Sequence, residues 1–317
     1  MVRRFFSPPP ILTRMQIRVL GGGAGGGFPQ WNCFCPNCRR LRAGKFAGTP
    51  RTQAQIALSA VPGEWTLLNA SPDLRAQIEA TPELWPQHGE RHSPISAVIL
   101  TGAEVDQVAG LLTLREFHPF GVYATAAIRK ILVEDNNVFR VLSRVANQVS
   151  WHDISPGQSF CASGVRFEPL PLPGKFPTFA SESRLAESNP VEATIGLMVS
   201  PESGGGTVAF LPGIGVISDA LLDRLAACDI VFLDGTFWSD YEPLRIPGIT
   251  RTARQMGHLP VSGAGGSIER LAALNRPRKV YIHINNTNPI LDEESAEHRT
   301  VVEAGWEVAW DGMEMTL

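Results

Sequence analysis

Short apolar runs recur along the chain, separated by glycine, proline and polar clusters, and this spacing predicts many short strands. Residues 16–20 alternate between polar and apolar, as a strand with one buried face does. Residues 53–58 and 65–69 predict a second strand pair. Residues 97–101, 230–233 and 280–284 are continuously apolar apart from single polar positions, which predicts strands covered on both faces. Further strands are expected at 165–170, 194–199 and 208–211. Helical spacing appears between them, at 106–115 with Val108, Leu111 and Leu112 on one side, at 219–227 and at 266–274. No fixed-period repeat or low-complexity linker divides the pattern. It predicts one α/β domain over residues 15–317, built as two packed mixed sheets with outer helices. Residues 1–14 begin basic, but prolines 8 to 10 break their apolar run, so a disordered leader is expected rather than a signal peptide.

Composition narrows the function. The chain has 317 residues, 44% of them hydrophobic and 19% charged, which excludes a disordered, highly charged polymer. Lys and Arg number 28 against 31 Asp and Glu, with no basic block, so a nucleic-acid partner is not expected. No apolar run is long enough to span a bilayer, so no membrane partner is expected either. Three of the five cysteines fall in one loop. That is no disulfide framework and points to metal binding in a reducing, cytoplasmic setting. Cys161 and Cys228 stand alone and are expected as small core hydrophobes.

The cysteine loop reads Cys33-Phe34-Cys35-Pro36-Asn37-Cys38. Thiolates spaced C-x-C-x-x-C can converge on one ion, and zinc accepts tetrahedral sulfur sites. Three ligands require a fourth from elsewhere. The glycine run 21–27 follows a strand, but Phe28-Pro29-Gln30-Trp31 comes next and no helix opens there, so the dinucleotide fingerprint is absent. A tight turn with close backbone approach is expected, with contact to a ligand left open.

A second constellation is dispersed. Asp106-Gln107 follows the buried run at 97–101. Asp234-Gly235-Thr236 closes the run at 230–233. His258 follows Met256-Gly257, and His283 lies in the run at 280–284. Side chains at strand ends gather at one sheet edge, two carboxylates with two imidazoles could bind a divalent metal, and a two-histidine, one-carboxylate face would suit non-haem iron. Each residue also has an ordinary structural alternative. Asp106 could cap a helix, Asp234-Gly235 could form a turn, and a strand histidine could be a satisfied core group. Asn69-Ala70-Ser71-Pro72-Asp73 could line the same pocket or form an Asx turn with a helix cap. His88, His92, His118, His152 and His298 are expected at the surface or at caps.

Together GGGFPQWNCFCPNC, NASPDLRAQI, LTLRE, DGTFW, MGHLPVSGAGGS and IHINNTNPIL resemble the family of coenzyme PQQ biosynthesis protein B. The resemblance runs from Met15 to Leu317. It implies an αβ/βα sandwich of the metallo-β-lactamase type. It also implies a place in pyrroloquinoline quinone biosynthesis, by iron-dependent hydroxylation of the tyrosine ring of a Glu-Tyr dipeptide cut from a precursor peptide. Catalytic Fe(II) would sit among Asp106, Asp234, His258 and His283, with Arg75 or Lys175 available for the dipeptide carboxylates. Alternatives are a carrier of the quinone or its precursor, and a metal-dependent hydrolase. Other pathway proteins and a second copy of the chain are open as partners. The superfamily signature H-x-H-x-D-H falls on residues 102–107. Of its metal ligands only Asp106 is kept, and Gln107 stands where the family commonly has histidine. A phosphodiesterase branch shares the cysteine loop and a DGME segment, here Asp311-Gly312-Met313-Glu314. By that likeness the fourth ligand of the structural zinc falls at Asn286, with water or a hidden residue as alternatives.

Overall fold

A computed structural model describes residues 14–317. The expected leader, residues 1–14, lies outside the described residues except for Arg14. The chain lays down β1 (Gln16–Gly21), β2 (Gln55–Val61), β3 (Glu64–Leu68), β4 (Ile95–Ile99), β5 (Phe120–Thr125) and β6 (Val149–Ile154) as one sheet. A second follows from β7 (Phe160–Ala162), β8 (Val165–Pro171), β9 (Ile195–Pro201), β10 (Val208–Leu211), β11 (Ile230–Asp234), β12 (Arg278–Ile282) and β13 (Trp306–Val308). The last strand, β14 (Glu314–Thr316), crosses back beside β1. The two seven-stranded sheets have the orders β14-β1-β2-β3-β4-β5-β6 and β13-β12-β11-β10-β9-β8-β7. Each is mixed. Strands β3 to β6 and β10 to β13 pair in parallel, and the remaining pairs are antiparallel. This is the expected αβ/βα sandwich.

Strand periodicity builds the layers. Ala97 and Ile99 of β4 face the other sheet with Ile17, Val19, Ile56 and Leu58, while Val98 packs under the outer helix Ala126–Val133 through Ile128, Ile131 and Leu132. In β11, Ile230 and Phe232 enter the space between the sheets, and Val231 and Leu233 meet Leu225 of the helix Asp219–Ala226. Burial on both faces explains why these strands read as unbroken apolar runs.

Several expectations change in the fold. The strand expected at 280–284 ends at Ile282, and His283 takes a positive φ of 59° that turns the chain out of the sheet. The helix expected at 106–115 is one α-turn, Val105–Val108, followed by the 3-10 segment Ala109–Arg115. Gly110 lies so close to the 70–71 backbone that a Cβ there would fall 2.2 Å from the Ser71 carbonyl. The helix expected at 266–274 shortens to Ser267–Arg270. Cys228 is buried as expected, but Cys161 is exposed, because the edge strand β7 turns it away from the core.

The glycine run is a close-approach element. Gly23 pairs with both Gln53 and Ile284, and Ala24 N–H donates to the Ile284 carbonyl at 2.9 Å, so this loop stitches the first sheet to the segment after β12. A Cβ on Gly21 would fall 2.2 Å from the Gln53 carbonyl. The Asp311 carboxylate fastens the loop from outside, accepting from Gly22 N at 3.1 Å and from Thr52 N and Oγ1 at 2.7 Å each.

Candidate metal centres and a cavity

The ends of parallel strands β4, β11 and β12 meet at one rim. Asp234 is the last residue of β11 and pairs in register with Ile282 of β12, which places His283 one step beyond. Asp106 arrives from the first sheet on the α-turn after β4. The cap of that turn is Glu104 rather than Asp106, so the capping alternative for Asp106 does not apply. His258 follows Gly257, whose left-handed φ of 93° ends the helix Ala253–Met256.

These four side chains converge. His258 Nδ1 lies 2.7 Å from Asp234 Oδ2, and His283 Nε2 lies 3.0 Å from Asp106 Oδ2. The two imidazoles lie nearly parallel, with ring centres 5.8 Å apart. Asp234, His258 and His283 each present a ligand atom within 4.8 Å of the others. Asp234 is fully buried and also accepts the Ile214 N–H at 3.1 Å. Burial alone would raise the carboxyls of Asp106 and Asp234. The facing imidazoles outweigh it and keep both below the usual carboxylate range. Burial likewise works against a charged His283, and the bond from Asp106 overrides it and raises the imidazole.

Thr236 joins these ligands, and no role was expected for it from sequence. Its hydroxyl bonds Asp234 Oδ1 and lies 2.8 Å from His283 Nδ1 and 2.9 Å from the His283 carbonyl. An oxygen here fixes the ring and leaves Nε2 directed at Asp106. The Asp-Gly-Thr string was the available signal, but only the turn it makes places the hydroxyl.

Gln107 lies beside the cluster but is already engaged. Its Oε1 accepts the backbone N–H of Glu104 at 3.2 Å, and its backbone carbonyl accepts Ala70 N at 2.7 Å. Asn69 is buried away from the cavity, where its Oδ1 accepts from Thr101 N and Oγ1 at the end of β4. Asp73 Oδ2 accepts the Gln53 backbone N–H at 2.9 Å, although Asp73 was expected to cap the helix Leu74–Glu79. Arg75 is exposed and does not border the cavity, whereas Lys175 does. The cavity has a volume of about 570 Å³, with Asp106, His258 and His283 in its wall. Gly25 of the glycine run borders it beside Asp106.

The cysteine loop forms the second centre. Cys33, Cys35 and Cys38 place their sulfurs within 4.8 Å of one another. Cys35 caps the helix Pro36–Arg42 by accepting from Cys38 N at 3.5 Å, a short turn that forces the spacing to converge. The Asn286 amide sits over the sulfur triangle, its nitrogen 3.0, 3.6 and 3.4 Å from Cys33, Cys35 and Cys38. Burial raises Cys33 only in part, and bonds from its neighbours lower it overall. Burial pushes the Cys35 thiol up to about 12. The donor set fits zinc. Three sulfurs leave a tetrahedron one ligand short, and a half-turn of the Asn286 amide sets its carbonyl oxygen at that corner.

A sandwich of this topology with an acid–imidazole cluster at the strand ends defines a metallo-β-lactamase-type protein, and the beta-lactamase superfamily domain model matches residues 64–284. Coenzyme PQQ synthesis protein B of Methylobacterium nodulans is 44% identical over 304 residues, covering 96% of this chain and all of the relative. The counterpart in Xanthomonas campestris is 43% identical over 307 residues, with the same coverage. Zn(2+)-bound PqqB from Methylobacterium extorquens superposes with a TM-score of 0.88 at 42% identity, covering 95% of this chain and all of that one. The chain belongs to the coenzyme PQQ synthesis protein B family. A diphosphatase of the PhnP family shares the fold, at 21% identity and a TM-score of 0.66 over 96% of this chain and 98% of its own.

Proposed function

We propose that the chain acts in pyrroloquinoline quinone biosynthesis as a non-haem iron hydroxylase. Its substrate is the tyrosine ring of a Glu-Tyr dipeptide derived from the precursor peptide. One observation carries the reading: two imidazoles and the Asp106 carboxylate line a cavity large enough for a dipeptide, and the buried Asp234 carboxylate bonds His258 from behind that wall. That donor set fits a divalent iron, with Asp106, Asp234, His258 and His283 to hold it. When bound, the iron supplies the activation of dioxygen that no side chain here can perform. The chain's own residues do the rest. Thr236 orients His283, and the buried Asp234 orients His258. Gly25 of the glycine loop and Gly102 and Ala103 after β4 form part of the cavity wall.

A two-metal hydrolase is the weaker reading. The leading histidine positions of the superfamily signature are Gly102 and Glu104, which leaves too few imidazoles for a second ion. A carrier would need the cavity but not the acid–imidazole cluster within it. The test is turnover of Glu-Tyr after anaerobic Fe(II) loading and admission of oxygen together with ascorbate, a two-electron reductant that takes the second oxygen atom to water, read by mass spectrometry. A product heavier by one oxygen is expected, and His283→Ala should abolish it. Equal turnover by the variant removes His283 from the site, and absence of any oxygenated product refutes the hydroxylase.

A further inference from the structure

Two cations border the cavity, and each is steered by backbone carbonyls rather than by a carboxylate. Lys175 Nζ donates to the Gln255 carbonyl at 3.0 Å, which leaves two of its three N–H bonds free. Arg254 donates from Nη2 to the Ala264 and Gly265 carbonyls, both at 3.1 Å, which leaves Nη1 and Nε free. Local structure sets both in place. Lys175 follows Gly174, where a Cβ would fall 2.1 Å from Thr194 Oγ1, so the 173–175 turn lies flat against the start of β9. Arg254 belongs to the capped helix turn Ala253–Met256 that leads into His258. The Lys175 bond to Gln255 therefore joins the turn after β8 to the segment that carries a cluster imidazole. The wall also includes the apolar side chains of Val216 and Met256 and the hydroxyl-bearing Thr194. The remaining charge in the wall is acidic or imidazole, from Glu104, Asp106, His258 and His283. The cavity is thus dipolar, with two cations that form no ion pair among the described residues and an acid–imidazole cluster.

We infer that Lys175 and Arg254 form a carboxylate-binding subsite, which selects small substrates bearing a free carboxylate and seats their apolar part against Val216 and Met256. The identity of the substrate rests on the hydroxylase reading; the subsite does not. Both cations keep N–H groups beyond their carbonyl bonds, and among the described residues neither is in an ion pair that an anion would first have to break. Carboxylates recruit charge-assisted bonds of this kind, which are roughly twice as strong as neutral ones.

The test is calorimetric titration of the purified protein, without iron, with three probes: Glu-Tyr, the same dipeptide with both carboxylates amidated, and glutarate. For wild type, Glu-Tyr should bind and its diamide should bind more weakly. Lys175→Met and Arg254→Met should each weaken Glu-Tyr by about tenfold or more while changing the diamide less than about twofold. Lys175→Arg should restore most of the loss. Equal weakening of charged and amidated ligand marks a structural role for the side chains and overturns the subsite, as does unchanged Glu-Tyr binding in both Met variants. If glutarate binds with the same Lys175 dependence while the dipeptide neither binds nor reacts, the hydroxylase substrate falls and the subsite stands. If wild type binds neither Glu-Tyr nor glutarate, the subsite falls.

Discussion

Restoring histidine at position 107 separates a metal ligand from a helix cap. The Gln107 side chain borders the cavity beside Asp106 and His283, yet its one oxygen is spent on the Glu104 N–H at 3.2 Å. In Gln107→His that bond is lost. Glu104 is exposed, so water replaces the cap and the cost is about 0.5–1 kcal/mol. For a chain of this size that amounts to about 1–3 °C of melting temperature. In return a neutral imidazole enters next to the acid–imidazole cluster. A ligand contributing even about 1.4 kcal/mol raises affinity tenfold. Anaerobic Fe(II) titration against a competing chelator should therefore show at least tenfold tighter binding, alongside a slightly lower melting temperature without metal. Lower melting with unchanged iron affinity would refute the reasoning and leave position 107 a cap. Gly102 supplies an internal check. A Cβ there would fall 2.2 Å from Gln107 Oε1, so Gly102→Ala must displace the amide and break the same cap. Its cost in wild type and in Gln107→Ala should differ, giving a non-additive cycle in thermal melts.

Three other expectations follow from neighbouring groups. Thr236→Val keeps the shape but removes the hydroxyl between Asp234 and His283, and iron affinity should fall about 10–100-fold with the fold intact; an unchanged titration would show that the hydroxyl does not orient the ring. Cys38→Ser removes the buried member of the sulfur triangle and should lower bound zinc by one equivalent and reduce melting temperature, whereas full zinc content by metal analysis would exclude Cys38 as a ligand. Burial raises Glu242 to about 7 from an ordinary 4.5, so folding takes up a proton there. Its contribution is fully present below about pH 4.5 and is lost as pH rises through 7, by on the order of 3 kcal/mol. The gap between wild type and Glu242→Gln should shift in that sense across pH 4.5–7, and parallel stability curves would contradict the raised carboxyl.

The strands most legible in sequence were those buried on both faces, with β1 legible through its alternation. Strands β4, β10 and β11 announce themselves because neither side of the ribbon meets water. Strand β6 was missed because Val149–Ile154 is an edge with mostly exposed or half-exposed side chains and no clean alternation. Strands β13 and β14 are too short to show a period. At the site, Asp106, Asp234, His258 and His283 were legible as chemistry, because acids and imidazoles beside strand ends are conspicuous. Thr236 and Arg254 were not, since their roles come from a turn and a helix cap that bring common residue types to an unusual place. Cys161 was misplaced because an isolated cysteine carries no sign of which side of an edge strand it takes.

The Asp311 bonds carry a practical corollary for anyone trimming the protein. Six residues before Leu317, this side chain reaches the backbone of a loop formed near the opposite end of the polypeptide, and that loop borders the cavity. A deletion that stops at Trp310 spares every proposed ligand yet unfastens Gly22 and Thr52. Such a deletion would also strip β14 from β1 and take Met313 and Met315 out of the core, so lost function in it would not implicate a ligand, and tags belong beyond Leu317 rather than in place of the tail.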